Sequence, residues 1–85
     1  MFLVLWCDHF QQGIYADVGC DNGNEKIYSG DQLEDAKLYC EQKVGCLGVL
    51  KHPDGRYTPR CGNMRTSSSA SWLNKDECNT GNIML

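Results

Sequence analysis

Several common signatures are missing from this chain of 85 residues. It has no CxxC pair and no closely spaced histidines, which structural zinc sites use. It has no N-x-S/T sequon, no EF-hand spacing, and no run near the roughly 18 apolar residues of a membrane-spanning helix. Basic residues are also few, 8 against 11 acidic ones. The sequence therefore argues against a zinc domain, a membrane span and a nucleic-acid-binding protein, which needs a basic surface.

The signatures of an enzyme are missing as well. The length allows one domain, residues 1–85, and excludes a two-domain enzyme or a doubly wound nucleotide-binding fold. The serines of residues 67–71 lack the G-x-S-x-G elbow of a hydrolase, and His9 and His52 are expected in solvent. The oxygen donors of residues 17–25 fit a turn better than a calcium site. We predict a protein that is not an enzyme and has no catalytic residues, no bound metal and no cofactor.

Cysteine is the residue that this chain does have in excess, with an even count of 6. A chain of this length buries only a modest apolar core, so covalent cross-links are commonly needed for a stable fold. Disulfides persist in oxidising surroundings, and we therefore predict three disulfides and a secreted or extracellular location. The cysteines are Cys7, Cys20, Cys40, Cys46, Cys61 and Cys78.

The chain opens with an apolar run at residues 2–7. The run is too short for the core of a signal peptide, and it lacks a basic segment before it and a small-x-small cleavage site after it. We predict that it forms a buried first strand. The remnant of a truncated leader is the alternative.

A single helix is predicted at about residues 32–43. Asp31 and Glu34 have the spacing of a capping box at its start, and Gly45 is the expected residue after its end. The apolar residues of this segment recur at a helical period, so they would share one buried face. They are Leu33, Ala36, Cys40 and Val44.

Short strands and turns fill the rest of the chain. Because strands surround one helix, the expected fold class is α+β, a small disulfide-rich domain with an antiparallel sheet packed on the helix. Pro59 cannot donate a hydrogen bond, so it is expected at an edge or at the end of pairing. The predicted strands are residues 14–15, 26–29, 46–51, 56–61 and 72–75, with turns at 21–24 and 52–55 and a polar loop at 62–71.

One stretch of the sequence resembles a known family. Asp35-Ala36-Lys37-Leu38-Tyr39-Cys40, followed by Cys46-Leu47-Gly48-Val49, is similar to the helix-to-strand core of PAN/Apple-like modules. The similarity covers roughly residues 26–78 and extends to Cys61 on a return strand and to a closing strand at Trp72. The family usually carries two cysteines on its helix, four residues apart, whereas Ala36 occupies the earlier place here.

The resemblance also implies a disulfide pattern. Six cysteines allow fifteen pairings. Cys40–Cys46 is favoured by closeness in sequence and by the resemblance, and the family's first and last cysteines imply Cys7–Cys78. With these two pairs taken from the resemblance, Cys20–Cys61 is the third.

Four residues are candidates for ligand binding. Arg56, Tyr57 and Arg60 follow the turn at residues 52–55, and Trp72 is not far away in sequence. Arginine and aromatic side chains are enriched in the hot spots of interfaces. The alternative is that Tyr57 and Trp72 belong to the core and that the arginines form a solvated face.

These observations and the resemblance lead to two hypotheses about function. The first is a secreted, non-catalytic recognition module that binds an extracellular protein or a glycan, since some members of the family bind proteins or sugars. The second is a free-standing diffusible signal, similar to a pheromone or a toxin, that acts on a cell-surface receptor and can self-associate. The expected state is a monomer or a weak homodimer, in which the apolar ends, residues 2–6 and 83–85, could pair.

Overall fold

A computed structural model describes residues 4–79 of the chain. The strands form one three-stranded sheet in the order β1-β3-β2, and the single helix packs against β2 and β3. This arrangement confirms the predicted α+β fold class. In the described residues no helix is long and apolar enough to cross a membrane. The elements are β1 (Gln11–Gly19), α1 (Leu33–Gln42), β2 (Gly48–Lys51) and β3 (Tyr57–Asn74).

Strand β3 is the longest element, with 18 residues, and it pairs antiparallel with β1. The pairing shifts from Gln12 opposite Ser71 to Ile14 opposite Thr66, so residues 67–70 bulge out of the ladder. We call these residues the serine bulge. Residues 62–71 nevertheless all belong to β3, so the predicted polar loop there is wrong. Polar side chains suit this part of the strand because ladder hydrogen bonds come from the backbone and most of these side chains face solvent.

Strand β2 lies between the two ends of β3. Its residues 48–51 pair with residues 60–57 on one side and with residues 74–71 on the other, antiparallel in both cases. The long strand β3 must therefore curl until its ends flank β2. Gly48 permits this close approach, because a Cβ atom there would collide with the carbonyl oxygen of Leu73 and the ring of Trp72.

Pro59 lies inside β3 opposite Val49, and its side chain is fully buried. The prediction that this proline marks the end of pairing is wrong on the side of β2 and correct on the side of β1. The ladder between β3 and β1 begins only at Arg60, so β1 does not need the N–H group that proline lacks.

The helix occupies nearly the predicted residues, but its ends differ in detail. Its N-cap residue is Gln32 and no side chain caps it, because the Asp31 carboxylate instead accepts a hydrogen bond from the Ser29 hydroxyl at 2.6 Å. The predicted capping box is therefore wrong. Gly45 has a φ of +87°, as expected for a glycine that follows a helix.

The predicted apolar face of the helix is partly correct. Ala36 and Cys40 are fully buried, whereas Val44 is 97% exposed. Val44 lies outside the face because α1 ends at Gln42 and the chain turns away before the next helical turn.

The prediction of a buried first strand at residues 2–7 is wrong for residues 4–7, the part that the structure describes. Residues 4–7 make a single bridge, between Trp6 and Lys75, and Leu5 is exposed. The expectations for residues 2–3 and 83–85 lie outside the described residues. The predicted strand at 26–29 is also reduced to one bridge, in which Tyr28 and Tyr57 exchange backbone hydrogen bonds of 2.8 and 2.9 Å.

Three disulfides join Cys7 to Cys78, Cys20 to Cys61, and Cys40 to Cys46, the same three pairs that the resemblance implies. Their Cα atoms are 4.4, 5.2 and 5.2 Å apart, within the usual range for a disulfide. No cysteine is free. Because thiolates are the zinc ligands that cysteine offers, these bonded sulfurs are unavailable for a zinc site.

Most of the buried apolar side chains form two clusters. The larger one, which we call the sulfur-bridged cluster, lies between α1 and the sheet and contains two of the disulfides. The smaller one, the tryptophan cluster, consists of Ile14, Ala16 and Trp72. The buried members of the sulfur-bridged cluster are Cys20, Ala36, Cys40, Cys46, Val49, Tyr57 and Leu73.

Candidate functional site

The aromatic residues expected to bind a ligand are buried. Trp72 is 0% exposed and belongs to the tryptophan cluster, and its indole N–H donates to Asn74 Oδ1 at 2.8 Å. Tyr57 is 8% exposed and belongs to the sulfur-bridged cluster. The structure therefore does not bring the four candidates together on one exposed surface. Tyr57 and Trp72 belong to the core, as the alternative prediction stated.

The arginines of the same region already have acidic partners. Arg56 Nε lies 2.7 Å from Asp54 Oδ2, and Arg60 Nη1 lies 2.9 Å from Glu25 Oε1. Arg65, which is close to them in sequence, bonds the Asp17 carboxylate at 2.7 Å. These arginines are neutralised within the chain, so they do not form the free basic surface that an anionic ligand would need.

Asp17 and Glu25 are thereby placed in ion pairs on the sheet. The pKa of Asp17 is held below its ordinary value, first because its carboxylate accepts the backbone N–H of Asn63 and second because Arg65 donates to it. The Asp17 carboxylate thus ties β1 to β3. Asp17 is one of the oxygen donors that the sequence offered for calcium, and this tie between strands gives it a structural role instead.

A different set of residues surrounds a small cleft at the end of β2. The cleft has a volume of about 170 Å³ and lies between the turn that follows β2 and the serine bulge of β3. We call it the serine cleft. Its walls combine apolar, basic and hydroxyl-bearing side chains, namely Tyr15, Leu50, Lys51, His52, Pro53, Ser67, Ser69 and Ala70.

The turn after β2 forms one wall of the serine cleft. Gly55 has a φ of +91°, and the Asp54 carboxylate accepts the backbone N–H of Arg56 at 3.1 Å. The backbone N–H of His52 donates to the Arg56 carbonyl at 2.8 Å and closes the turn. The x-P-D-G sequence thus forms the predicted turn and fixes the positions of His52 and Pro53.

The serine bulge forms the opposite wall. The hydroxyl oxygens of Ser67 and Ser69 lie 3.1 Å apart, and the backbone N–H of Ser69 donates to Ser67 Oγ at 3.4 Å. Ala70 beside them is buried. The bulge therefore presents two hydroxyls from a short, internally bonded segment.

Lys51 lines the serine cleft, but its ammonium group lies against an aromatic ring that does not line it. Its Nζ atom lies 5.6 Å from the centre of the Phe10 ring, within the range of a cation–π contact. Lys51 belongs to none of the ion pairs among residues 4–79, and no aspartate or glutamate lines the cleft. Phe10 packs against the sulfur-bridged cluster, so the ammonium group of Lys51 is directed toward that cluster rather than into the cleft.

His52 is held in place by two neighbours. Its Nε2 atom lies 2.8 Å from Thr58 Oγ1 and 3.6 Å from Glu25 Oε1. A catalytic triad needs the hydroxyl and the carboxylate on opposite ring nitrogens, whereas here they share one. Thr58 is also 1% exposed, so no substrate could reach its hydroxyl. The arrangement is a structural hydrogen bond between β3 and the turn.

A second, wider depression has a lining that shares no residue with the serine cleft. It has a volume of about 740 Å³ and is bordered by the apolar side chains of Leu5, Leu47 and Met64. Lys75 on its rim is followed directly by Asp76 and Glu77, which also line it. Its lining therefore carries a net negative charge, from two acidic residues and one lysine.

The sequence did not indicate the serine cleft. Residues 67–71 were expected to form a flexible loop, and His52 and Pro53 only a turn. Tyr15, which lines the cleft from β1, is far from both segments along the chain. The cleft depends on how β3 curls and where it bulges, and no local pattern in the sequence encodes that geometry.

No known family model matches this chain, and no curated protein or solved structure shows significant similarity to it.

Proposed function

We propose that this protein is an extracellular recognition module that binds a carbohydrate without chemical turnover, and that the serine cleft is its contact site. The observation that carries the proposal is the composition of the cleft. Tyr15 offers an aromatic ring and Ser67 and Ser69 offer hydroxyls around a volume of about 170 Å³. A sugar residue has both an apolar face and hydroxyl groups, so it can use all of these side chains at once.

The size of the serine cleft favours a small binding group. Pockets for drug-sized ligands usually measure roughly 300–1,000 Å³. At about 170 Å³, the cleft fits a single sugar residue rather than an extended ligand. The proposed ligand is therefore the end group of a glycan.

The frame around the serine cleft supports recognition. Three disulfides restrict the chain, and both walls of the cleft are bonded internally. A site that is already ordered loses less conformational entropy when it binds, so weak individual contacts can add to a useful affinity. Multiple disulfides are also typical of extracellular proteins, which supports the proposed location.

The proposal is tested by titrating the isotope-labelled protein with neutral and acidic monosaccharide glycosides while the amide resonances are followed by NMR. The expected shifts are concentrated at Tyr15, Lys51, His52 and residues 67–70. Loss of the Ser69 hydroxyl in Ser69→Ala should weaken binding by about fivefold, the effect of one hydrogen bond.

Ser68→Ala is the matched control for this titration, because Ser68 lies beside Ser69 in the serine bulge but does not line the serine cleft. It should change the affinity by less than about twofold. Absence of shifts with every glycoside at millimolar concentration would refute carbohydrate binding, and shifts confined to another face would refute the assigned site.

A further inference from the structure

We propose that the Cys7–Cys78 disulfide is a reactive site that exchanges with a small thiol, which attacks the sulfur of Cys78 and displaces that of Cys7. The proposal is separate from carbohydrate binding, because neither cysteine lines the serine cleft. The product carries a mixed disulfide on Cys78 and a free thiol on Cys7. The Cys7–Cys78 link is thus a site of reversible covalent modification.

The other two disulfides are shielded by the core. Cys40 is 0% exposed and Cys46 is 2% exposed. Cys20 is buried, and its partner Cys61 packs against the sulfur-bridged cluster. A disulfide exchanges only when a thiolate can reach one of its sulfurs, so these two links require the fold to open first.

The Cys7–Cys78 link is covered less completely. Neither of its residues belongs to a core cluster among residues 4–79, and Cys78 is partly exposed. Cys7 is buried. The attacking thiolate therefore reaches Cys78, and the electron pair of the broken S–S bond leaves on Cys7.

Two exposed polar side chains border this disulfide. His9 Nδ1 lies 3.9 Å from Cys7 Sγ and 2.7 Å from Asp8 Oδ1, so the carboxylate holds the imidazole beside the leaving sulfur. A protonated imidazole at this distance stabilises a thiolate. Asp8 Oδ1 lies 3.9 Å from Cys78 Sγ. Negative charge is therefore more favourable on Cys7 than on Cys78, which agrees with the direction of attack.

The exchange balances in atoms, electrons and protons. A thiolate forms a new bond to Cys78 Sγ while the Cys7–Cys78 bond breaks, and Cys7 leaves as a thiolate. The incoming thiol loses one proton to solvent, and Cys7 takes up one proton from solvent, directly or through His9. The Cys7 thiol can then donate to the His9 carbonyl oxygen, which lies 3.1 Å from its sulfur. The thiol is the only co-reactant.

Backbone hydrogen bonds hold the two segments together without the disulfide. The Cys7 N–H donates to the Asn74 carbonyl at 3.0 Å, and the Asp76 N–H donates to the Leu5 carbonyl at 2.7 Å. The fold should therefore persist when the S–S bond opens, and the original disulfide can form again. Because the Cys7–Cys78 link spans 71 residues, its opening should still lower the Tm.

The experiment treats the folded protein with about 2 mM reduced glutathione at about pH 6 and low salt. Acid and N-ethylmaleimide stop the reaction, and the peptides are mapped by mass spectrometry. We expect glutathione on Cys78 and the alkyl group on Cys7, at least about tenfold faster than modification of the other four cysteines. The exchanged protein should keep the amide NMR resonances of the sheet.

His9→Gln tests the contribution of the imidazole. Without its positive charge the leaving sulfur is stabilised less, so exchange should slow by about fivefold, the effect of one charge at about 4 Å in water. Lys26→Gln is the matched control, because it removes a positive charge from an exposed side chain whose Nζ lies 6.0 Å from the centre of the Tyr28 ring. It should change the rate by less than about twofold. Thermal unfolding verifies that both variants are folded.

Three results would overturn the proposal. Glutathione on Cys7, or earlier modification of any of the other four cysteines, would refute the assigned site. Absence of an adduct in folded protein would refute its reactivity. An unchanged rate in His9→Gln would refute the stabilisation of the leaving sulfur by His9. The reaction contains no sugar, so these failures are distinct from a failure of carbohydrate binding.

Discussion

The two core clusters of this protein are stabilised in different ways. The sulfur-bridged cluster contains the Cys20–Cys61 and Cys40–Cys46 disulfides and joins α1 to the sheet. The tryptophan cluster has no sulfur bridge and depends on one large side chain, Trp72, packed among small and aliphatic residues. The comparison shows that disulfides lie within one core cluster, whereas the other cluster contains none and depends on the packing of Trp72.

The candidate site lies beside the cluster that contains no disulfide. Tyr15 and Leu50 pack against the tryptophan cluster, and both also line the serine cleft. Strand β3 connects the two clusters, because Trp72 and Leu73 are adjacent along it and lie in different clusters. Side chains alternate between the two faces of a strand, which explains how neighbouring residues serve both clusters.

The largest effect is expected from Trp72→Ala. Removing this fully buried ring should lower the free energy of unfolding by about 3–5 kcal/mol, since it leaves a cavity in the cluster that has no disulfide. Denaturant unfolding with the disulfides intact measures the change. Val44→Ala, at a side chain that is 97% exposed, should change it by less than about 0.5 kcal/mol. A similarly small loss in Trp72→Ala would contradict the assigned role of this ring.

The two disulfides of the sulfur-bridged cluster should contribute different amounts to the free energy of unfolding. Cys20–Cys61 spans 41 residues and Cys40–Cys46 spans 6, so the entropy of loop closure predicts about 4 and about 2 kcal/mol. Replacing each pair by alanines, one pair at a time, and measuring unfolding tests this order. Equal losses for the two pairs would show that packing of the sulfurs, rather than restriction of the unfolded chain, dominates.

Gly48→Ala tests the close contact between β2 and β3. The added methyl group would meet the Leu73 carbonyl and the Trp72 ring, and we expect a loss of about 1–3 kcal/mol from overpacking. Gly30→Ala is the control, because its new Cβ atom would have one neighbour, the Gly55 carbonyl oxygen at 3.3 Å. If both variants unfold at the same denaturant concentration as the natural chain, β2 does not lie as close to β3 as described.

The smallest effect concerns pH and the Asp17 carboxylate. Its pKa is lowered in the folded protein by the Asn63 N–H and by Arg65, so it stabilises the fold above the ordinary carboxylate pKa of 3.8. This contribution should be lost as the pH falls below that value. Asp17→Asn should therefore show a smaller decrease in Tm between pH 5 and pH 2 than the natural chain. An identical decrease would mean that the carboxylate does not stabilise the fold.

The sequence supported some of these features because they are encoded locally. The period of Ala36 and Cys40 indicated the helix, and the x-P-D-G sequence indicated the turn that follows β2. The fold class and the three disulfide pairs were also expected, the latter from the resemblance to PAN/Apple-like modules, which itself stays a hypothesis.

Other features depend on contacts between distant parts of the chain. The middle of β3 is polar, so its sequence was interpreted as a loop, although pairing with β1 through the backbone makes it a strand. Arg56 and Arg60 were candidates for a ligand because their acidic partners could not be seen in the sequence. The serine cleft requires both the curl of β3 and the position of Tyr15, which only the folded chain provides.

The most direct test of the account is peptide mapping of the native protein without reduction, because the frame and its proposed extracellular role both depend on the disulfides. We predict three linked pairs, Cys7–Cys78, Cys20–Cys61 and Cys40–Cys46, and no free thiol. Any other pairing, or free cysteines in correctly folded protein, would contradict it.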